Sequence, residues 1–487
     1  MLENIEPKRV MYYFEEISKI PRGSGNEKQI SDYIVNFAKE HGLEFIQDEV
    51  NNVIIKKSST NESSKTVILQ AHIDMVCEKN KNVVHDFTSE PIKLKIDEDF
   101  IKAEGTTLGA DNGIGVAYNL SILETSEVTH PNLEVVFTVD EEEGMTGAIR
   151  LDMSKLNGNT LINADSEEEG IITVGCAGGA RVNIDINVNT IKLENPESFE
   201  VFELSVNGLC GGHSGIEIKV NRGNAIKILA EILKSFSDLN DDIYLYDIYG
   251  GMKVNAIPRE ATVRFVVNKR SLLNFLGIYN ASQTRILEQY RENEGNLEIN
   301  LKKLIDADIS MVFSSETTKS IINILNDIVN GIYTMSSDVE GLVESSSNVG
   351  IVKYEDSKVK ISIFPRSSKQ EKLEEIINQI TGVAKSETNT QVEVTSRYPS
   401  WDYEENSKAR EVAILAYKEL YGKEPIVEII HAGLECAVFK EKNREIDMIS
   451  IGPDIKGAHT PEECVSITSM QSTWEYMKHL LLKLSDV

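Results

Sequence analysis

The stretch Thr66-Val67-Ile68-Leu69-Gln70-Ala71-His72-Ile73-Asp74 decides how this chain is laid out. It is short, apolar and β-rich, and it runs straight into polar residues, which marks a buried strand ending at a loop. Side chains on a strand alternate between faces, so His72 and Asp74 share one. A carboxylate beside an imidazole fixes its tautomer and raises its basicity, as happens for a metal-bound histidine. Standing alone, the pair reads more simply as a strand-end histidine with a hydrogen-bond partner.

Working outward, strands are expected over 52–56 and 133–139, with helices over 10–20, 26–41 and 115–123. Strands and helices in alternation argue for an α/β layered domain. Beyond about residue 180 the pattern changes: 181–188 and 199–206 alternate strictly, as half-buried antiparallel strands do. Further strands are expected over 261–268, 358–364 and 391–396, and helices over 224–237, 271–294, 316–330 and 369–384. This describes an antiparallel sheet with helices on one face. After a connector over 397–405, α/β character returns, with a helix from Ser407, strands over 427–430 and 448–451, and a closing helix from Ser466. The expected division is a first catalytic segment over 1–185, an inserted domain over 186–396 and a second catalytic segment over 397–487.

Bulk properties narrow the functional classes. A chain of 487 residues exceeds what one core usually supports, so two domains are expected. A formal net charge of -28 opposes nucleic acid and anionic membrane as partners. No apolar run reaches the roughly 18–20 residues of a bilayer span. The opening residues carry no basic and apolar leader pattern. The 5 cysteines are scattered without a CxxC pair, which points to free thiols, a cytoplasmic location and no cysteine zinc site.

Four further clusters carry chemistry. Gly105-Thr-Thr-Leu-Gly-Ala-Asp111-Asn112-Gly113-Ile-Gly115 is glycine-dense, but no Lys-Ser/Thr follows and no GxGxxG fits, which argues against a phosphate loop. Its glycines let the backbone fold tightly around Asp111, which either bridges two cations or caps the following helix. Asp140-Glu141-Glu142-Glu143 follows an apolar strand. It is either a solvated acidic loop or a site where one carboxylate ligates a metal and its neighbour accepts a proton from water. Asp165 lies just beyond the apolar Leu161-Ile162, and His459 sits in the Gly/Pro loop after the strand at 448–451. All the candidates lie at or beyond the carboxyl ends of strands, where open α/β sheets gather their ligands. Two histidines and three carboxylates, with no cysteine, suit zinc, manganese or cobalt. Five such side chains, one bridging, serve two metals and leave positions for water and substrate.

These motifs resemble the co-catalytic metallopeptidases that include aminoacylases, certain carboxypeptidases and cytosolic dipeptidases. The likeness runs along nearly the whole chain through QAHIDMV (70–76), GTTLGADNGIG (105–115), EEEGMTGA (141–148), NADSEEEG (163–170), GCAGG (175–179), NGLCGGHSG (207–215), NAIPRE (255–260), HAGLEC (431–436) and SIGPDIKGAHTPEE (450–463). The resemblance implies an α/β fold: a mixed-sheet, zinc-peptidase-like catalytic domain with an inserted α+β lid and dimerisation domain. It implies two divalent ions, zinc or else cobalt or manganese. His72 and Asp165 would hold one, Glu142 and His459 the other, and Asp111 both. Asp74 would orient His72, and Glu141 would move the proton. The resemblance also implies a cis Asp111–Asn112 peptide, a lid histidine at His213 that supports the oxyanion and reaches a partner's site in dimers, and a substrate contact at Asn255. Arg366 would bind the substrate carboxylate, with His431 and Glu435 shaping that end of the pocket. Read without the family, His213 is a loop histidine, Asn255 a turn former and Arg366 a surface charge.

The expected activity is dipeptide hydrolysis by a homodimer. The rivals are an N-acyl amino acid or tripeptide hydrolase on the same framework, and a metal-stabilised binding protein without catalysis. Glu141 speaks against the last, since a structural site needs no base outside its ligands.

Overall fold

The computed structural model describes residues 1–486 apart from 62, 237–241, 306–308 and 337–340. The chain forms two compact units. One comprises Met1–Cys176, Trp401–Ile430 and the stretch from Leu434 onward; the other comprises Ala177–Ser400 with His431–Gly433. The boundaries expected at 185 and 397 fall inside the strands Gly178–Asn187 and Thr390–Tyr398. These two strands pair from Thr390↔Ile186 to Thr395↔Arg181, so the hydrogen-bond ladder moves both whole into the second unit.

The first unit is built on a mixed sheet of eight strands. Their order is Glu44–Gln47, Val53–Lys57, Asn132–Thr138, Thr66–His72, Thr160–Asn163, Asp447–Ser450, Ile171–Cys176 and Ile426–Ile430. The Thr66–His72 strand is buried from Val67 onward, the continuous apolar run of a strand covered on both faces. One cover is the helix Ala110–Glu124, buried at every residue from Asn112 to Leu123. A helix that is apolar all round has nowhere to go but the interior. Tyr118 Oη completes its anchorage by donating to Met470 O in the closing helix Ile467–Asp486, at 2.9 Å.

Register matters more to function than strand count. Thr66–His72 runs parallel to Asn132–Thr138, with His72 opposite Thr138, and to Thr160–Asn163, with Gln70 opposite Asn163. Asp447–Ser450 is parallel to Thr160–Asn163, with Ser450 opposite Asn163. The four carboxyl ends therefore emerge at one edge. The chain leaves this unit at Cys176 and returns at Trp401, where two reciprocal backbone bonds of 2.9 and 3.0 Å join these residues.

The second unit carries an antiparallel sheet of nine strands. Its helices Ala225–Ser235, Leu272–Gln289, Ser315–Asp327 and Gln370–Ser386 bury their apolar faces with it in one cluster. The expected class, α/β with an inserted α+β domain, is the one observed. Residue 237, the expected end of the first of these helices, lies outside the described residues.

Several strands are not among those expected from the sequence, Ile243–Gly250 and Val343–Glu355 among them. The first breaks alternation at a bulge between Leu245 and Asp247, where Asp247 accepts from Arg264 at 3.2 Å. The second buries serines at 345–347, residues that read as a loop. Two of them find side-chain partners, Ser345 with Thr334 and Ser346 with His431. Among the described residues no helix is long and apolar enough to cross a membrane.

At the shared edge, the loop after Asp447–Ser450 lies against the one after Thr160–Asn163. Ile451 N donates to Asn163 O at 3.0 Å, and a Cβ on Gly452 would lie 1.6 Å from Ser166 O. Gly452→Ala must push these loops apart, so it is expected to cost at least about 2 kcal/mol, at the severe end for single substitutions. Chemical denaturation monitored by circular dichroism measures this; an unchanged midpoint would show that the loops part freely.

Candidate metal centre

Five side chains that are far apart in sequence meet at this edge. His72 Nε2 lies 3.1 Å from Asp111 Oδ1 and 3.2 Å from Asp165 Oδ1. His459 Nε2 lies 3.1 Å from Asp111 Oδ2 and 3.0 Å from Glu142 Oε2. The ligand atoms of His72, Asp111 and Asp165 fall within 4.8 Å of one another, as do those of Asp111, Glu142 and His459. Asp111 is common to both groups, one oxygen to each.

Local structure explains how each arrives. His72 ends its strand. Asp74, on the same face, lies 3.2 Å from His72 Nδ1. It also accepts from the backbone N–H of Glu141 at 3.1 Å, from that of Glu142 at 3.2 Å, and from Ser24 Oγ at 2.8 Å. Asp74 thus fixes the acidic turn as well as the imidazole, a double duty the sequence does not announce. Asp111 stands at the start of the Ala110–Glu124 helix, and its peptide bond to Asn112 is cis. His459 occupies the tip between the paired strands Ile455–Lys456 and Cys464–Ser466, with φ 63°. It is half-exposed, while the side chains of His72, Asp165 and Glu142 are buried.

Charge is crowded here. Burial works against a charge on His72, yet Asp165, Asp111 and Asp74 hold its pKa well above the ordinary value. Burial likewise opposes ionisation of Asp111, but His459 and His72 pull it well below the usual carboxylate range. Burial and the Asp111 charge push Glu142 up to about 7. Burial is also the main cause for Asp165, raised to about 6, and for Glu141, raised well above its normal value with Glu142, Asp165 and Glu435 adding to the effect.

A divalent cation fits this arrangement. A ring nitrogen carries at most one proton, yet each Nε2 faces two carboxylate oxygens. Buried Glu142 Oε1 has no hydrogen-bond partner among the described residues. A tetrahedron with bonds of about 2.0 Å has edges of about 3.3 Å, close to the 3.0–3.2 Å separations seen. Nitrogen and oxygen donors without thiolate suit zinc, cobalt or manganese. Three protein donors per position leave room for water and substrate.

Glu141 stands beside this set: its carboxylate and the ligand atoms of His72 and Glu142 lie within 4.8 Å of one another. Beneath the strand ends, buried Glu435 accepts from Gln70 Nε2 and Thr138 Oγ1, each at 2.6 Å, and burial pushes its carboxyl up to about 8.

The remaining expected site residues belong to the second unit. His213 and Asn255 share a small ribbon, where Gly212 pairs with Ile257 and Ser214 N donates to Asn255 O at 2.9 Å. Arg366 is only 4% exposed. Its Nη1 donates to Tyr398 Oη at 2.8 Å, Nη2 lies 3.3 Å from His213 Nε2, and Nε has no partner among the described residues. Without a carboxylate partner among the described residues, this buried guanidinium is an incomplete ion pair, not the surface charge that sequence alone suggests. His431 Nε2 sits 2.7 Å from Ser346 Oγ; burial, together with the charges of Arg366, Lys219 and His213, lowers its pKa to about 3. His431 and Glu435, grouped together by sequence, divide between the two units.

Sequence reasoning passed over Arg22, Ser24 and Glu463. Arg22 and Ser24 lie in Pro21-Arg-Gly-Ser-Gly25, a Pro/Gly loop in which nothing in the sequence shows that the arginine is buried. Glu463 closes the His459 motif and gave no hint of what it binds.

The sequence pattern of Peptidase family M20/M25/M40 matches residues 68–483. Over 484 residues the chain is 40% identical to the cytosol non-specific dipeptidase of Escherichia coli, covering 99% of this chain and 98% of that protein. The crystal structure of aminoacylhistidine dipeptidase from Vibrio alginolyticus is similar with a TM-score of 0.86 at 37% identity, covering 99% of this chain and 97% of that one. An aminopeptidase from Bacillus cereus shares the fold, with a TM-score of 0.57 at 17% identity and 99% of each chain covered. With likeness extending over nearly its full length and the site geometry described above, the chain belongs to Peptidase family M20/M25/M40.

Proposed function

We propose that this protein is a cytoplasmic, metal-dependent dipeptidase that uses two divalent ions, zinc in the first instance, with cobalt or manganese as substitutes. The observation that carries this is the division of Asp111 between two histidines, in a peptidase-family chain whose near-full-length relatives are named dipeptidases. His72 and Asp165 would hold one ion, Glu142 and His459 the other, and Asp111 both. Bound there, the pair supplies Lewis acidity that acidifies water and polarises the scissile carbonyl.

The chain's own groups do the rest. Glu141 accepts the proton of the attacking water and delivers it to the leaving amine. A carboxyl held above its ordinary pKa by burial is a stronger base for that transfer. Asp74 keeps His72 and the Glu141 turn in register. In the second unit, which we take as the lid and dimerisation domain, Arg366 grips the substrate's terminal carboxylate with its free N–H groups. His213 supports the developing oxyanion, acting on a partner's site in a homodimer. His431, neutral at physiological pH, lines the carboxylate end, and Asn255 contacts the substrate from the His213 ribbon. Glu435 shapes the floor below Glu141.

Glu141→Gln is expected to lower kcat by about 10²–10⁴-fold, the usual worth of a general base, while metal content measured by mass spectrometry stays at the wild-type level. Near-normal turnover would remove Glu141 from this role. Arg366→Met should raise KM for dipeptides at least about tenfold, since a charge-assisted bond to the carboxylate is lost; steady-state kinetics with an unchanged KM would assign the carboxylate to another residue. Chelation should abolish hydrolysis, and zinc, cobalt or manganese should restore it. A substrate panel in which tripeptides or N-acetyl amino acids outpace dipeptides would overturn the dipeptidase assignment.

A further inference from the structure

We propose that Arg22 and Glu463 form a two-sided clamp on the backbone that carries Asp111, each setting one half of the ion-binding geometry; this rests on the two-ion function proposed above. The start of a helix leaves several backbone N–H groups without internal partners. Here a single side chain, remote in sequence, takes four in a row. Glu463 Oε2 accepts from Leu108 N at 2.7 Å and Gly109 N at 3.0 Å, and its Oε1 accepts from Ala110 N at 2.7 Å and Asp111 N at 3.3 Å. From the other side, Arg22 Nη2 donates to Gly109 O, while Nη1 donates to Ile73 O at 3.0 Å and Asp74 O at 2.8 Å. Arg22 and Glu463 are each 2% exposed.

A local serine or aspartate would cap the helix without burying two opposite charges, which costs free energy even when each is hydrogen-bonded. What a local cap cannot do is join separate elements. Glu463 lies four residues after His459 in the same hairpin, and its N–H donates to Thr460 O at 3.1 Å. It therefore ties the Asp111 backbone to the element bearing His459. Arg22 ties the same backbone to the end of the His72 strand. One clamp residue governs the Asp111–His459 spacing and the other the Asp111–His72 spacing.

The glycine motif records this. Gly109 has φ +70°, and a Cβ there would lie 2.5 Å from Arg22 Nη2. The glycine admits the arginine as well as the turn.

Glu463→Gln keeps the size but replaces one acceptor with an amide that points N–H at N–H. Arg22→Lys keeps the charge but cannot span three carbonyls. Both are positioning variants, tested by zinc binding at buffered free zinc, with bound metal counted by mass spectrometry and no substrate present. Each variant is expected to weaken zinc binding by 10–100-fold, the usual loss when a group that orients a ligand is removed. In a His459→Ala background the effect of Glu463→Gln should vanish, while that of Arg22→Lys persists. Circular dichroism of the chelated proteins reads folding separately, and Glu463→Gln alone decides the matter if Arg22→Lys does not fold. Zinc affinities within about twofold of wild type, with only the melting temperature lowered, would overturn the clamp. Wild-type protein that bound no divalent ion would instead overturn the two-ion function, and the clamp with it.

Discussion

One carboxylate shared between two imidazoles constrains everything else in the first unit. For Asp111 to show one oxygen to His72 and the other to His459, its backbone must be fixed within a fraction of an ångström relative to two elements that are remote in sequence. The parallel register supplies the coarse alignment, bringing the ends of four strands to one edge. Buried hydrogen bonds supply the fine alignment: Asp74 to the Glu141 turn, Glu463 to the Asp111 backbone, Arg22 between that backbone and the His72 strand. The apolar core holds the layers, but the polar contacts at their rim hold the chemistry.

Such an arrangement is expensive without a cation. His72, Asp111 and Asp165 sit together in low dielectric, and burial alone would strip charge from each. Mutual attraction between imidazole and carboxylate partly offsets this. The excess of carboxylates over rings remains, and bound divalent cations would neutralise it. In the second unit the buried Arg366 guanidinium keeps an Nε without a partner among the described residues.

The parts of this that sequence displays are those with a period or an end. The strand Thr66–His72 is legible because it is continuously apolar and stops at His72. Asp111, Glu142, Asp165 and His459 are legible because each follows such a stop or sits among glycines. What sequence hides is who holds these residues. Arg22 touches Gly109 across 87 positions and Glu463 touches Leu108 across 355, and no local pattern encodes either meeting. Asp74 looks like a partner for one histidine because the strand period says so, whereas its bonds to Glu141 and Glu142 depend on a neighbouring strand. The strand Val343–Glu355 gives no apolar signal because it buries Ser345, Ser346 and Ser347, and the partners of the first two, Thr334 and His431, lie elsewhere in the second unit.

The position of the strand Asp447–Ser450 also bears on how the protein is made. It lies inside the sheet, between Thr160–Asn163 and Ile171–Cys176, though Asp447 comes 284 positions after Asn163. At translation rates of roughly 5–20 residues per second, the ribosome needs about 15 to 60 seconds to cover that distance. Throughout that interval the nascent sheet has a gap where a central strand belongs, with unpaired edges on either side. The second unit, nearly contiguous over 177–400, emerges whole in the meantime. Asp447–Ser450, the last of the eight strands in sequence, thus closes this sheet and is followed at once by the hairpin that carries His459 and Glu463, so the metal-ligand set is complete only after the second unit has been made.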